Sequence, residues 1–320
     1  MKRATITDVA AHAGVSRTTV SLVLRDADRI PAATKAKVRA SMDELGYVYN
    51  RAGAAVRAGQ SSLLGLLLTD IRNPFFAEVT MAVDRAVAAQ GMSVLQSFSF
   101  GDPEHEARSA RSLAEQFLGG LILLPTAEAT AERLHFLAAA QPLVQLLREV
   151  PGLDCDFVGV DNRESGRLLG IHLARQGLRR VVLVGGTQSA QLADRRSGLS
   201  EGLGGPVQLA LGGVGGLTTD QSAQADCLVT YNDTHLLSAL GALRAAGRTP
   251  GVDVAVASFD DTAIAASTHP TVTSVDHHVA QLAEQAVRLV LARSAEPHRP
   301  LERILVPPTL VVRDSTCLRR

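Results

Sequence analysis

The sequence predicts an α/β protein, with a small N-terminal helix-turn-helix ahead of a core of two doubly wound lobes. Three observations carry that prediction. Residues 1–47 hold short helical patterns separated by tight turns, and no segment there alternates as a strand would. From Leu63 onward, short runs rich in Leu and Val recur between helical stretches. The chain has 320 residues, 46% hydrophobic and 20% charged, which suggests roughly two or three folding units and no disorder.

In the first region, Thr5 and Asp8 have capping-box spacing, Ala10 is small enough for close helix approach, Gly14 supplies a turn and Ser16 can cap a second helix. Val9, Ala13, Val15, Val20 and Leu24 form the predicted shared core. That leaves Arg17, Thr18, Ser21 and Leu22 facing outward. A third helix is predicted from about Ala32 to Leu45, stopped by Gly46. Any helical hairpin with a glycine turn gives this pattern, so charge has to decide what it is for. Residues 1–60 hold ten Lys+Arg against five Asp+Glu, a net of +5, and the rest holds 22 against 27, a net of −5. All three lysines, Lys2, Lys35 and Lys37, lie at the positive end. A basic surface with two capped helix N-termini suits phosphates, and the start of the second helix suits base edges in a major groove. The predicted partner is double-stranded DNA, met by Thr5, Ser16, Arg17, Thr18, Thr19, Ser21 and Leu22.

Residues 48–62 read as a linker with marginal helix propensity, because Gly53 and its shortness leave an isolated helix poorly supported. The core, residues 63–320, carries nine predicted strands, in runs beginning at Leu63, Met92, Gly119, Pro142, Phe157, Val181, Cys227, Val252 and Val272. Continuous apolar runs mean strands buried on both faces, hence parallel sheets covered by helices. Nine strands are more than one compact sheet usually carries, so two lobes are expected.

Several functions are excluded. Cys155, Cys227 and Cys317 are odd in number and widely spaced, which supports neither a disulfide framework nor a zinc ribbon. No metal and no cofactor is expected. The start, MKRATITDVAAHAG, lacks the apolar stretch of a secretion signal, and no apolar run reaches the ~18 residues of a membrane span. A cytoplasmic protein without membrane contact is expected. There is no G-x-S-x-G, Walker A, H-E-x-x-H or G-x-G-x-x-G after a strand, and LGGVGG at 211–216 lacks the last glycine of that pattern. An enzyme is not expected.

The ordered stretches T-I-x-D-V-A-x-x-A-G-V-S-x-x-T-V-S from Thr5, ELGY at 44–47, DIRNPFF at 70–76, GGLILLP at 119–125, VDN at 160–162, RRSG at 195–198, ND at 232–233, FDD at 259–261 and LVVRDS at 310–315 resemble the LacI/GalR family of bacterial transcriptional regulators. The resemblance runs from Thr5 almost to Arg320. It implies a homodimer binding a palindromic operator, a hinge helix that folds on DNA, and a two-lobed core like the periplasmic sugar-binding proteins. It further implies hinge contacts to DNA from Asn50, Val56 and Arg57, and an effector held by Asp70, Phe75, Arg195, Asn232, Asp260 and His277. A fixed arginine fork facing an aspartate suits a sugar or a similar small polar metabolite. Three departures stand out. Val56 replaces the leucine wedge of the family hinge and Pro31 replaces the serine cap of the third helix. Only 33 residues separate Gly198 from Asn232, so one α/β unit of the C-terminal lobe is expected to be trimmed or irregular. A regulator with no small effector, or one answering to a protein partner, is the alternative.

Overall fold

The computed structural model describes residues 4–49, 61–186 and 188–318. The chain divides into two compact units, Met1–Gln60 and Ser61–Arg320.

The first unit holds three helices: α1 (Ile6–His12), α2 (Arg17–Leu24) and α3 (Ala32–Glu44). Thr5 and Asp8 close a reciprocal capping box at the start of α1, with the Thr5 N–H donating to Asp8 Oδ2 at 2.8 Å and the Asp8 N–H to Thr5 Oγ1 at 3.3 Å. Gly14 turns the chain at φ +59°, and the Ser16 hydroxyl accepts the Thr19 N–H at 3.0 Å to open α2. Pro31 starts α3 without a side-chain cap, and Gly46, at φ +60°, follows its end. Val9, Ala10, Ala13, Val20, Val23 and Val38 make the core. Val15 and Leu24, expected in that core, pack only at its edge, because Val23, one turn from Val20, takes the inner position. After α2, Asp26 holds Lys35 at 3.0 Å and Arg39 at 3.3 Å, and Lys35 draws its carboxyl below the usual range.

The second unit is built of two six-stranded sheets. The chain enters the first through β1 (Leu63–Leu68), α4 (Pro74–Ala88), β2 (Ser93–Phe98), α5 (Pro103–Ala114), β3 (Leu121–Leu123), α6 (Ala131–Ala140), β4 (Leu143–Leu146) and β5 (Asp156–Val160). It crosses to the second through α7 (Asn162–Arg175), β6 (Val181–Val184), α8 (Ala190–Leu203), β7 (Gln208–Ala210), α9 (Thr219–Gln224), β8 (Cys227–Thr230), α10 (Leu236–Ala245), β9 (Ala255–Asp260), α11 (Ala263–Ser267) and β10 (Thr273–Asp276). It returns with α12 (Val279–Ala295) and β11 (Arg303–Val306), then ends in the second sheet with β12 (Thr309–Val311). The sheet orders are β11-β5-β4-β3-β1-β2 and β12-β10-β9-β8-β6-β7, parallel throughout except β10 with β12. All nine predicted strands are present. The three that sequence reasoning passed over, β7, β11 and β12, lie at sheet edges, where one face meets solvent and no continuous apolar run is needed.

Three passages of the chain therefore join the lobes, after β5, after β10 and after β11. Helix α12 belongs to the first lobe, burying Leu282, Ala286, Leu289 and Val290 with Leu64, Leu66 and Val83. The segment after Gly198 is trimmed as expected: β7 has three residues, a 3-10 turn covers Gly213–Gly216, and α9 has six residues, none buried.

Candidate functional site

On the first unit, Arg17 and Thr18 open α2 and are exposed, while Ser21 and Leu22 are half-buried. Thr5 and Ser16 are exposed and committed to their caps, and Thr19 is half-buried against Ser16, its hydroxyl 2.9 Å from the serine's. The Ser21 hydroxyl accepts from Arg25 at 3.3 Å. Asn50, Val56 and Arg57 lie outside the described residues.

In the second unit, the C-terminal ends of strands from both sheets converge on one cavity of ≈ 60 Å³, the place where open α/β sheets bind ligands. Arg195 is placed by α8, which is locked to α7 through four glycines. A Cβ on Gly166 would stand 2.1 Å from the Arg195 carbonyl oxygen, and one on Gly198 would stand 1.8 Å from that of Arg163; Gly170 and Gly202 are as tightly enclosed. The helices thus touch backbone to backbone. Arg195 itself is 7% exposed. Its Nε donates to Asn162 Oδ1 at 2.8 Å, one Nη donates to the Tyr231 carbonyl at 2.5 Å, and its guanidinium lies 4.7 Å from the Tyr231 ring and 4.6 Å from that of Phe259. Its other Nη is 4.0 Å from Asp260 Oδ1, too far for a hydrogen bond and open to a bridging hydroxyl.

Asp260 ends β9 at φ +98°, a backbone conformation that non-glycine residues seldom adopt outside functional sites. Burial pushes its carboxyl up to about 7, against the pull of Arg195, and Asp233 and Glu78 push it the same way. His277 is 1% exposed, and burial holds its imidazole well below its ordinary value, so the ring is neutral. Its Nδ1 stands 3.5 Å from Asp260 Oδ1, the Phe75 ring meets it edge-on at 5.7 Å, and its Nε2 has no partner. Asn232 lines the same cavity, with its Oδ1 accepting from Thr234 at 2.6 Å.

Five of the six expected effector residues are thus brought together: Phe75, Arg195, Asn232, Asp260 and His277. Asp70 is the correction. It does not line the cavity; its carboxylate accepts the Arg72 N–H at 2.8 Å and Nε at 2.6 Å, a local turn that consumes both oxygens. Phe75 sits in the first turn of α4, where Asn73 caps the helix and Pro74 opens it. The lining further includes Asn73, Arg148, Asn162, Gln191 and Tyr231. Asn-Pro at 73–74 is a helix-start signal that would have placed Asn73; nothing local marks the others. Among the described residues no cluster of His, Cys, Asp and Glu could hold a metal, and no helix is long and apolar enough to cross a membrane.

Residues 5–50 match the family described as bacterial regulatory proteins, lacI family. Residues 61–204 match the periplasmic binding proteins and sugar binding domain of the LacI family, and 171–316 match a periplasmic binding protein-like domain. The maltose regulon regulatory protein MalI of Escherichia coli (strain K12) is 34% identical over 86% of this chain and 85% of its own length. The HTH-type transcriptional regulator CelR of Thermobifida fusca is 30% identical over 98% of both chains. Among solved structures, a complex of the transcriptional regulator CelR with cellobiose superposes with a TM-score of 0.70 at 28% identity, covering 98% of this chain and all of the other. The Lac repressor dimer bound to operator and the anti-inducer ONPF superposes with a TM-score of 0.82 at 25% identity, covering 99% of this chain and all of the other. From its helix-turn-helix to its paired sheets, the chain belongs to the LacI family of bacterial regulatory proteins, which are transcriptional regulators and not enzymes.

Proposed function

We propose that this chain is a cytoplasmic repressor that binds a roughly palindromic operator as a homodimer and responds to a sugar or similar small polar metabolite. The observation that carries this reading is the cavity, where Arg195 and Asp260 stand 4.0 Å apart with His277 and Asn232 beside them. A ligand hydroxyl can accept from the guanidinium and donate to the carboxylate at once, an arrangement that strongly rejects molecules lacking it. The likeness to CelR, solved with cellobiose, and to the Lac repressor, solved as a dimer on its operator, supports the same reading.

On DNA, Arg17 and Thr18 read base edges while the α1 and α2 N-termini meet phosphates, with Asn50, Val56 and Arg57 completing the contact. Effector binding shifts the lobes only by its differential affinity for open and closed forms, and the linker of residues 48–62 carries that shift to the DNA.

The decisive experiment is a thermal-stability screen of the full chain against sugars, followed by operator-release assays with any that stabilise it. Asp260→Ala is expected to abolish the ligand's effect on operator binding and leave operator affinity nearly intact; loss of DNA binding instead would make Asp260 structural. Arg17→Ala is expected to lower discrimination between operator and random DNA by about 1–3 kcal/mol, whereas an equal loss on both would reassign Arg17 to a phosphate. Operator affinity is expected to fall steeply with salt.

One observation favours a second reading, a regulator without a small effector. Arg195 already commits its Nε to Asn162 and one Nη to the Tyr231 carbonyl, so the protein itself holds the guanidinium in place without a ligand. Operator affinity that no small molecule alters, across the whole screen, would select that reading.

A further inference from the structure

The first turns of α4 bring the first lobe against the ends of β9 and β10 in the second. Phe75 meets the His277 ring edge-on at 5.7 Å, and Asn73 lines one cavity with Asp260. Glu78 follows Phe75 by three residues and so lies on the same face of the helix. It is half-buried, and among the described residues it makes no hydrogen bond and no ion pair. The charges it meets across the lobes are carboxylates: Asp233 after β8, Asp260 and Asp261 at the end of β9, and Asp276 at the end of β10. Burial pushes the Glu78 carboxyl above its ordinary value, and Asp233, Asp261 and Asp276 push it the same way.

The cations beside these carboxylates are engaged within the second lobe. Arg313 pairs with Asp261 at 2.5 Å and donates to the Val272 carbonyl at 2.8 Å, and His278 stands 3.1 Å from Asp276. Arg195 is held by Asn162 and the Tyr231 carbonyl, 4.0 Å from Asp260, and burial holds the His277 imidazole well below its ordinary value. Asp233 gives one oxygen to the Thr262 N–H at 2.7 Å and hydroxyl at 2.8 Å, and its buried Oδ1 has no partner. On the first lobe, Arg72 turns back to Asp70, whereas Arg85, Glu284 and Arg288 line a groove farther along α4 and α12. Like charges brought together disfavour each other's ionised form. The arrangement of the lobes that sets Glu78 nearest to the facing carboxylates therefore binds its proton most tightly, and proton uptake favours that arrangement.

We propose that Glu78 is a proton-operated switch between the lobes: ionised, it repels the carboxylates at the ends of β9 and β10 and holds the cleft open, and protonated, it lets the cleft close. The switch concerns the lobes alone and stands whatever the cleft binds. Each lobe keeps its own core, so the three connecting passages can flex as a hinge without disturbing either sheet. Asp260 titrates in the same direction, but its charge stays with the second lobe in every arrangement, and Glu78 is the member of the group that the first lobe carries.

The test is small-angle X-ray scattering of the full chain without ligand, at about pH 5.5 and about pH 8 and one ionic strength, with the scattering mass used to compare the same oligomer throughout. The parent is expected to have a smaller radius of gyration at the acid pH. Glu78→Gln at the alkaline pH is expected to move at least half-way to the parent's acid value and to lose most of the pH response, because it removes the first lobe's charge and keeps its shape. Glu78→Lys, which turns the repulsion into attraction, is expected to be at least as compact as Glu78→Gln at the alkaline pH. A parent with the same radius at both pH values overturns the proposal. So does a Glu78→Gln variant that keeps the parent's full response, which would place the controlling proton on another group. Should Glu78→Gln fail to fold, Glu78→Lys decides by the same comparison with the parent.

Discussion

The two lobes share one winding and carry opposite chemistry. Read from one edge, the first sheet runs β2-β1-β3-β4-β5-β11 and the second β7-β6-β8-β9-β10-β12, the same order shifted along the chain. Yet the first lobe gives the cleft mainly apolar surface, from Phe75, Phe76, Leu124, Leu147 and Val160, with Asn73 and Arg148 as its polar groups. The second gives Gln191, Arg195, Tyr231, Asn232, Asp260 and His277. A duplicated architecture thus presents a greasy wall to a polar one. Strand order sets where side chains converge, and the residues at the strand ends set what they can bind.

The lobes differ in how tightly their helices approach, and that difference gives the largest expected effect. Gly198→Ala places a methyl 1.8 Å from the Arg163 carbonyl oxygen, so α8 must move off α7 and carry Arg195 with it. A loss of about 3 kcal/mol or more is expected, read from the denaturant midpoint of the full chain. A variant as stable as the parent would show that the helix pair can slide.

The next effect sets two buried carboxylates against each other, Asp260 in the polar lobe and Glu106 in the apolar one. The folded Asp260 carboxyl holds its proton up to about 7, against 3.8 ordinarily. Its contribution is fully present below pH 3.8 and is lost as pH rises through about 7. Between pH 5 and 8 this is expected to lower stability by on the order of 2–3 kcal/mol. Asp260→Asn, which tolerates the positive φ, is expected to remove that part of the slope and to stabilise the free protein at pH 8. Denaturation midpoints at the two pH values check it, and an unchanged slope would mean that the charge is compensated elsewhere.

Glu106 is also raised by burial, so the sign is the same, but both Thr126 hydrogen bonds oppose the shift. Glu106→Gln is expected to cost about 1 kcal/mol at neutral pH, since an amide nitrogen cannot accept from Thr126, and to change the pH slope less than Asp260→Asn does. A larger slope change at Glu106 would reverse the contrast between the lobes. The smallest effect is expected from Gly119→Ala in the first lobe, where the nearest atom, the Met92 methyl, is at 3.4 Å. A change within about 0.5 kcal/mol is expected by the same denaturation, and a loss matching that of Gly198→Ala would erase the packing distinction.

Much of this was legible along the chain. The eight inner strands announced themselves because a strand buried on both faces must be apolar at nearly every position, and the edge strand β2 showed because its run is six residues long. The other three edge strands did not, since much of each faces water and their runs are three or four residues long. Thr5 with Asp8 and Ser16 with Thr19 were readable because a cap is a contact three residues long. Arg195, Asp260 and His277 were named through family resemblance, which gave their positions but not their state. That the Asp260 carboxyl is raised to about 7 and the His277 imidazole held well below its ordinary value depends on burial. Asp70 stands outside the cavity for a local reason: Arg72, two residues on, engages its carboxylate.

The sequence by itself determined nine of the strands, the division into a basic helical unit and an α/β core, and the shortened stretch after Gly198, because these follow from periodicity, charge and local capping. Only the tertiary structure decided that Arg148 faces the same cavity as Arg195, that two glycine pairs lock α7 to α8, and that Asp260 stands opposite Asn73 and His277. Those residues are tens to hundreds of positions apart, and the electrostatic cost of a buried charge exists only once the chain has folded around it.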